Sequence, residues 1–215
     1  MNMRIFTFYC CLLLIFSCTG GLTKNTIVYQ NDFEQGKGIG IELQNYDGSM
    51  FRTEDKVFTF NGSKVLGRMN NTALTLNLKQ LPEHTYLRIM FDLYIHDRWE
   101  GNTVPNSAGS DIWNLKGEGN YIISTTFSNV DHLNQAFPYY FGSGVSPARG
   151  GSQDTLFPGV CASQTLPNGT TLYKMQYTIT HSAATFTLSC NDALQGSLCD
   201  KSWSIDNLVI SVLNN

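Results

Sequence analysis

The sequence predicts an all-β protein built as an antiparallel two-sheet β-sandwich. Several segments alternate apolar and polar residues with a period of two, which is the pattern of a strand with one buried face. The chain holds 19 glycines and many Asn, Ser and Thr residues, which suit the turns that numerous short strands require. No segment of useful length shows helical periodicity. Strands with one apolar face bury it against a second sheet, so two packed sheets follow.

The predicted strands follow one another along the chain with turn signals between them. In Thr72–Lys79, Leu74, Leu76 and Leu78 share one face. Comparable alternation predicts strands over residues 86–96, 173–181, 184–190 and 203–213, and shorter candidates cover residues 27–33, 57–61, 121–127 and 138–141. Residues 101–119 and 142–159, which are rich in Gly, Ser, Asn and Pro, are predicted loops.

Length and composition bound the function classes. The 215 residues fit one such domain, which we place at residues 21–215. A hydrophobic share of 42 %, with 13 Phe and 10 Tyr, supplies a core and argues against disorder. Charged residues make up only 14 % of the chain and the formal net charge is −3. A nucleic-acid binder needs a dense cationic face, so we expect no nucleic-acid partner.

The N-terminus has the layout of a secretory signal peptide, which we assign to residues 1–20. Arg4 precedes a short apolar run over residues 5–16, and small residues follow it. The run is too short to span a bilayer, and no other stretch approaches the required length, so we expect no transmembrane segment. A second interpretation stays open, because residues 15–18 resemble a bacterial lipobox that would place a lipid anchor on Cys18. Either interpretation predicts a secreted or cell-surface protein.

Three cysteines, Cys161, Cys190 and Cys199, follow the signal segment. An exported chain meets oxidising conditions, so pairing is expected. Cys190 and Cys199 flank a turn-rich loop between two predicted strands, and we predict that they form the disulfide. Cys161 is then a small buried hydrophobic residue. The Cys and His spacing matches no zinc site.

Acidic residues mark both ends of the domain. Asp32 and Glu34 lie in the first predicted strand, and Asp206 lies in the last. If these strands pair, three carboxylates converge, and a bound Ca²⁺ would offset their repulsion. The alternative is that these polar residues cap strand ends and bond backbone amides.

The same segments resemble a known group of modules. Residues 32–34, Asp-Phe-Glu, and residues 202–210, Ser-Trp-Ser-Ile-Asp-Asn-Leu-Val-Ile, are similar to the terminal strands of extracellular jelly-roll modules of the concanavalin A-like and MAM type. The resemblance implies a jelly-roll form of the sandwich. It also implies a structural cation near those strands, held by Asp32, Glu34 and Asp206.

A second acidic group lies in the predicted loop after residues 86–96. Asp97, Glu100 and Asp111 form a second candidate Ca²⁺ loop, although their spacing is not that of an EF-hand. Trp99 and Trp113 stand beside these acids. An indole can stack on a sugar ring while carboxylates accept bonds from its hydroxyl groups. The alternative is that both indoles fill the end of the sandwich core.

Further candidate ligand contacts lie on either side of this loop. Tyr94 and His96 belong to the polar face of the preceding strand. Tyr139 and Tyr140 could form an aromatic platform, and Arg149 in the following loop could donate hydrogen bonds to a ligand.

These residues favour a non-catalytic extracellular binding module for carbohydrate or a surface glycoprotein, stabilised by a cation. Two alternatives remain: a glycan-active hydrolase or lyase on the same fold, and a structural subunit of an extracellular coat or adhesin assembly. The chain lacks the paired carboxylates at strand spacing that glycosidases on this fold need, and it has no Gly-x-Ser-x-Gly motif. A binding role is therefore the prediction.

Overall fold

A computed structural model describes residues 24–36, 38–102 and 109–214 of the chain. The predicted signal peptide and Cys18 lie outside these residues. The described part is all-β, with a single 3-10 turn at Thr53–Lys56 as its helical element. None of its helical segments is long and apolar enough to cross a bilayer. The predicted fold class is confirmed.

Within the described residues, thirteen strands form the two sheets. In chain order they are β1 (Lys24–Asn31), β2 (Ile41–Asn45), β3 (Met50–Phe51), β4 (Val57–Phe60), β5 (Ser63–Met69), β6 (Thr72–Lys79), β7 (Tyr86–Asp97), β8 (Ile112–Gly117), β9 (Asn120–Thr126), β10 (Asp154–Phe157), β11 (Thr170–Thr180), β12 (Thr185–Ala193) and β13 (Lys201–Asn214). Sheet A has the order β10-β11-β7-β13-β5-β4, and β1 also pairs with β13. Sheet B has the order β3-β2-β6-β12-β8-β9. All the pairings are antiparallel.

The first and last strands pair, which is the condition on which the predicted convergence of the terminal acids depended, but the details of that region differ. Strand β1 ends at Asn31, so Asp32 and Glu34 lie in the turn that follows. Phe33 has a φ of 56° in this turn. Asn207, with a φ of 52°, interrupts β13 where its register shifts between Asp206 and Val209. The half of β13 before this bulge pairs with β5, and the half after it pairs with β1.

Other predictions about strands need correction. The segment 138–141 is a turn, whereas the predicted loops 101–119 and 142–159 contain β8 and β10. Strand β8 reads Ile-Trp-Asn-Leu-Lys-Gly, a short run surrounded by loop residues, so its alternation is hard to see in the sequence. It pairs with β12 on one side and β9 on the other, and that tertiary pairing fixes it as a strand.

Apolar side chains of the two sheets meet in one large core. Trp99, Trp113 and Trp203 are fully buried there, and the rings of Trp113 and Trp203 meet at 5.9 Å and 86°. A smaller apolar cluster, separate from this core, contains Phe60, Val65, Tyr94 and Leu172. It lies on the outer face of sheet A, because the neighbours of Tyr94 on β7, Leu93 and Ile95, belong to the main core.

The predicted disulfide between Cys190 and Cys199 is wrong. Cys199 pairs with Cys161, and their Cα atoms lie 5.1 Å apart. Cys190 is a free thiol in the core, because the alternation along β12 turns its side chain inward with Phe186 and Leu188. Burial raises the pKa of the Cys190 thiol well above its ordinary value. The disulfide joins the 158–169 loop to the turn before β13.

Candidate functional site

Four of the predicted ligand contacts are buried, so that role is wrong for them. Trp99 and Trp113 lie in the core, and Trp99 Nε1 donates to the Ser202 carbonyl at 2.9 Å. Tyr94 belongs to the smaller apolar cluster on the outer face of sheet A, and His96 lies beside it. The Phe60 ring packs against both of their rings. No ligand can stack on these rings without opening the packing.

His96 is a structural residue with no solvent-exposed surface. Its Nδ1 lies 3.0 Å from Thr170 Oγ1, and its Nε2 lies 2.5 Å from Ser204 Oγ. Burial, together with the positive charge of Arg68, lowers the pKa of His96 to about 3. The imidazole is therefore neutral at physiological pH.

The second candidate calcium loop holds an internal cation instead. The ammonium group of Lys201 is fully buried and lies 3.0 Å from Glu100 Oε2 and 2.8 Å from Asp111 Oδ2. Asp97 stands apart, because its Oδ1 accepts the backbone N–H groups of Cys161 and Ser163 at 3.1 and 2.9 Å. The prediction that these three acids share one Ca²⁺ is wrong, since Lys201 supplies the positive charge.

The acids of the terminal segments come only partly together. Ser63 Oγ bridges two of them, donating to Glu34 Oε1 at 2.7 Å and lying 3.2 Å from Asp206 Oδ2. Asp32 instead accepts the Glu34 backbone N–H at 3.2 Å. Burial raises the pKa of Asp206 to about 6, and the nearby carboxylates of Asp92 and Glu34 act in the same direction. In the described part of the chain, no three His, Cys, Asp or Glu side chains are grouped to hold a metal ion.

Tyr139 and Tyr140, in contrast, are exposed as a ligand platform requires. Together with two neighbours they form what we call the aromatic edge, where the exposed fractions are 54 % for Tyr121, 51 % for Tyr139, 46 % for Tyr140 and 43 % for Phe141. The Tyr140 hydroxyl lies 2.7 Å from the Ile122 carbonyl and 3.2 Å from the Tyr121 carbonyl. These contacts fix the Tyr140 ring beside β9, the outermost strand of sheet B.

A depression of about 450 Å³ adjoins the aromatic edge, between β9 and the last residues of β11. We call it the tyrosine groove. Its walls come from both sheets, because Glu118, Asn120 and Tyr121 belong to the β8–β9 hairpin, whereas Tyr177 and His181 belong to β11 and the residue after it. Burial, and the nearby Tyr140 hydroxyl, raise the pKa of Tyr177 well above its usual value. Its hydroxyl is therefore protonated and able to donate.

A buried histidine supports His181 in the groove wall. The rings of His84 and His181 are stacked at 5.0 Å with 17° between their planes. His84 Nε2 lies 2.7 Å from His181 Nδ1, and His84 Nδ1 lies 2.6 Å from the Pro82 carbonyl. Because that carbonyl only accepts, His84 Nδ1 carries a proton. Burial, and then the neighbouring His84, lower the pKa of His181.

A second cavity, of about 330 Å³, lies at one end of the sandwich and brings together two predicted residues, Asp97 and Arg149. The Arg149 guanidinium contacts Asp131 and the Asn129 carbonyl, so it is already paired. Among the described residues, neither Asp97 Oδ2 nor Arg149 Nε has a hydrogen-bond partner. Sequence reasoning selected these two residues for different sites, and only the loops around β7 and β11 place them side by side.

Several residues of the tyrosine groove were missed at the level of sequence. Tyr121, Tyr177 and His181 read as ordinary members of alternating strands, and Glu118 read as a loop residue. Their meeting depends on the pairing of β9 with β8 and on the packing of the two sheets. Hydrophobic periodicity carries no signal for either.

No protein-family model matches the chain, and no curated protein matches its sequence. Solved structures similar to it include the CBM2 module of the evolved Dit of Lactobacillus casei BL23 phage J-1, with 11 % identity, a TM-score of 0.43, and coverage of 90 % of this chain and 98 % of that one. A family 35 carbohydrate binding module from Clostridium thermocellum has 11 % identity, a TM-score of 0.39, and coverage of 86 % and 99 %. Dimeric latent PorU from Porphyromonas gingivalis has 10 % identity and a TM-score of 0.39; the match covers 66 % of this chain but only 10 % of PorU. At these values the similarity says nothing of what this chain binds.

Proposed function

We propose that the protein is a non-catalytic extracellular binding module that holds carbohydrate, free or on a surface glycoprotein, in the tyrosine groove. The observation that carries this proposal is the meeting of the exposed Tyr121 ring with the polar groups of Glu118, Asn120 and His181 in one open depression. An exposed aromatic face stacks on the C–H face of a sugar, and the surrounding acceptors and donors bind its hydroxyl groups.

The lining of the groove favours binding over catalysis. Within the described part of the chain, Glu118 is the one carboxylate that lines it. Hydrolysis of a glycosidic bond ordinarily uses two carboxyl groups at a defined separation. Glu118 Oε1 also accepts the Thr187 backbone N–H at 2.8 Å, which holds the carboxylate in one orientation and suits it to accept a ligand hydroxyl.

Two features support the extracellular location that we propose. The sequence begins with the layout of a signal peptide, and Cys161 and Cys199 form a disulfide, which persists in oxidising compartments. We keep calcium at Glu34 and Asp206 as part of the proposal. It is tested by melting the wild type and Glu34→Gln with Ca²⁺ and with a chelator. A melting temperature that is unchanged by chelator in the wild type removes the cation.

The test of the proposed function is a glycan array followed by calorimetry on the strongest ligand. Tyr121→Ala removes the stacking face, and we expect it to weaken binding about tenfold or more. Tyr140→Phe keeps the ring and removes the hydroxyl contacts, so a smaller loss is expected. Leu156→Ala, which removes exposed apolar surface from β10, is the matched control and should bind as the wild type does.

Three results would count against the proposal. Absence of binding to every glycan removes carbohydrate as the ligand. Equal binding by the wild type and Tyr121→Ala removes the tyrosine groove as the site. Release of reducing sugar from a bound glycan would mean that the protein is a hydrolase and not a non-catalytic binding module.

A further inference from the structure

We infer that the ligand is an extended, uncharged glycan chain that runs from the tyrosine groove across the outer face of sheet B, an inference that rests on the proposed function. A second depression carries the argument. It has a volume of about 520 Å³, and it is lined by Glu42, Asn77, Lys79, Thr185 and Thr187 on β2, β6 and β12. We call it the sheet B depression.

The two depressions adjoin each other at Glu118 and Thr187. The Glu118 backbone N–H donates to the Thr187 carbonyl at 2.9 Å, and the Glu118 carboxylate accepts the Thr187 N–H at 2.8 Å. Thr187 Oγ1 in turn donates to Asn77 Oδ1 at 2.9 Å. A chain leaving the tyrosine groove past Glu118 therefore meets the hydroxyl of Thr187 and the amide of Asn77 next.

The strand register shows how far this surface continues. One row of cross-strand neighbours crosses five strands of sheet B. Its members are Tyr121 on β9, Lys116 on β8, Ser189 on β12, Thr75 on β6 and Glu42 on β2. Four strand spacings of about 4.8 Å give a row about 19 Å long. That length exceeds a single sugar ring and suits several linked units.

The row faces solvent, because its strand neighbours point into the core. Leu74 and Leu76 on β6, and Leu188 and Cys190 on β12, all belong to the buried cluster. Side chains alternate between the two faces of a strand, so Thr75 and Ser189 point outward. Hydroxyl and amide groups of this kind pair with sugar hydroxyl groups.

The charge of this surface selects an uncharged ligand. Lys79 and Glu42 line the sheet B depression, and Lys116 and Glu118 stand near the tyrosine groove, with Lys116 Nζ 4.5 Å from the centre of the Tyr121 ring. The two positive and two negative groups cancel. Such a surface gives no net attraction to an acidic polysaccharide, in which every repeat carries a charge.

The experiment compares chain lengths. Gluco-, xylo-, manno- and galacto-oligosaccharides, each as a disaccharide and as a longer oligomer, are titrated into the wild type by calorimetry. For the sugar that binds, we expect the longer oligomer to bind about tenfold or more tightly. The double variant Glu42→Ala/Asn77→Ala should lose that gain and keep its affinity for the disaccharide. Gln176→Ala, an exposed polar residue on the outer face of sheet A, is the matched control.

The outcomes separate this inference from the function on which it rests. Equal affinity of the wild type for short and long oligomers overturns the extended path while leaving the groove intact. A double variant that still gains from length overturns the path across sheet B. An oligogalacturonate is titrated in the same way, and tighter binding of it than of any uncharged chain overturns the charge argument. Absence of binding to every sugar removes the proposed function and this inference together.

Discussion

Lys201 provides the sharpest test of the physical reasoning, because its buried ammonium group occupies a place that the sequence assigned to calcium. Replacing Lys201 by Met keeps a long apolar side chain and removes the charge. Glu100 and Asp111 then stay behind as buried carboxylates. Removing one partner of a buried ion pair costs about 3–5 kcal/mol, since the remaining charge is desolvated and unpaired.

The contacts that Glu100 and Asp111 keep decide where in this range the cost of Lys201→Met falls. Glu100 keeps a contact with the exposed guanidinium of Arg98 at 3.3 Å, which reduces the cost of losing its contact with Lys201. Asp111 keeps the Glu100 backbone N–H at 2.8 Å but has no other cation within salt-bridge distance among the described residues. We therefore expect Lys201→Met to lower the free energy of unfolding by about 4 kcal/mol at pH 7. For a domain of this size, that loss corresponds to a fall in the melting temperature of about 8–16 °C.

The assay is urea unfolding followed by fluorescence of the buried tryptophans, with Lys174→Met as the control. Lys174 Nζ lies 2.8 Å from Asp92 Oδ1, but the Lys174 side chain is 58 % exposed. Asp92 is buried, but its partner Lys174 is exposed and Asn207 Nδ2 still donates to Asp92 Oδ2 at 3.0 Å, so the control should lose clearly less stability than Lys201→Met. Equal losses in the two variants would refute the argument from burial. The triple variant Glu100→Gln/Asp111→Asn/Lys201→Met leaves no unpaired buried charge. If it regains the stability that Lys201→Met loses, the argument from burial is supported.

Three further predictions test the buried titrating groups and the disulfide. The folded-state pKa of Asp206, about 6, lies above the unfolded value, so the stability that the protonated carboxyl contributes is present below about pH 4 and is lost as the pH rises through 6. With a chelator present, so that no cation pairs with Asp206, Asp206→Asn should therefore be more stable than the wild type by about 1–3 kcal/mol at pH 8 and by little at pH 4 in urea unfolding; a constant difference contradicts this. The folded-state pKa of His96, about 3, lies below the unfolded value of about 6.5, so stability present above pH 6.5 is lost as the pH falls. As the pH falls from 6 to 4, the free energy of unfolding of His96→Gln should rise relative to that of the wild type by about 1 kcal/mol per pH unit. A difference that does not depend on pH would count against a neutral buried imidazole. The disulfide between Cys161 and Cys199 closes a separation of 38 residues, so a reductant should lower the unfolding free energy of the wild type by about 3–4 kcal/mol while leaving Cys161→Ser/Cys199→Ser unchanged. A reductant effect that persists in that double variant would mean a different pairing.

The sequence predicted the sandwich well because alternation is a local property. Residues 72–79 coincide with β6, and the first and last strands form the pair on which the expected convergence of the terminal acids depended. The disulfide was missed because proximity along the chain favoured Cys190, whereas the direction in which a strand points its side chain decides which thiol is available. The indoles of Trp99 and Trp113 were assigned to a ligand because their acidic neighbours were visible, whereas the cation of Lys201, which follows Glu100 by 101 residues and Asp111 by 90, was not.

The same comparison explains how the few charges of this protein are used. Acids in the sequence suggested calcium, but in the fold Lys201 pairs with Glu100 and Asp111, and Lys174 pairs with Asp92. Arg149 pairs with Asp131 at the end of the sandwich. Basic residues that are taken up in these pairs are not available to attract an acidic ligand. The outer face of sheet B is then left with hydroxyl, amide and tyrosine groups and with balanced charges. The low charge of the chain is therefore a property of its proposed binding surface, and it favours recognition through stacking and hydrogen bonds to uncharged sugar rings.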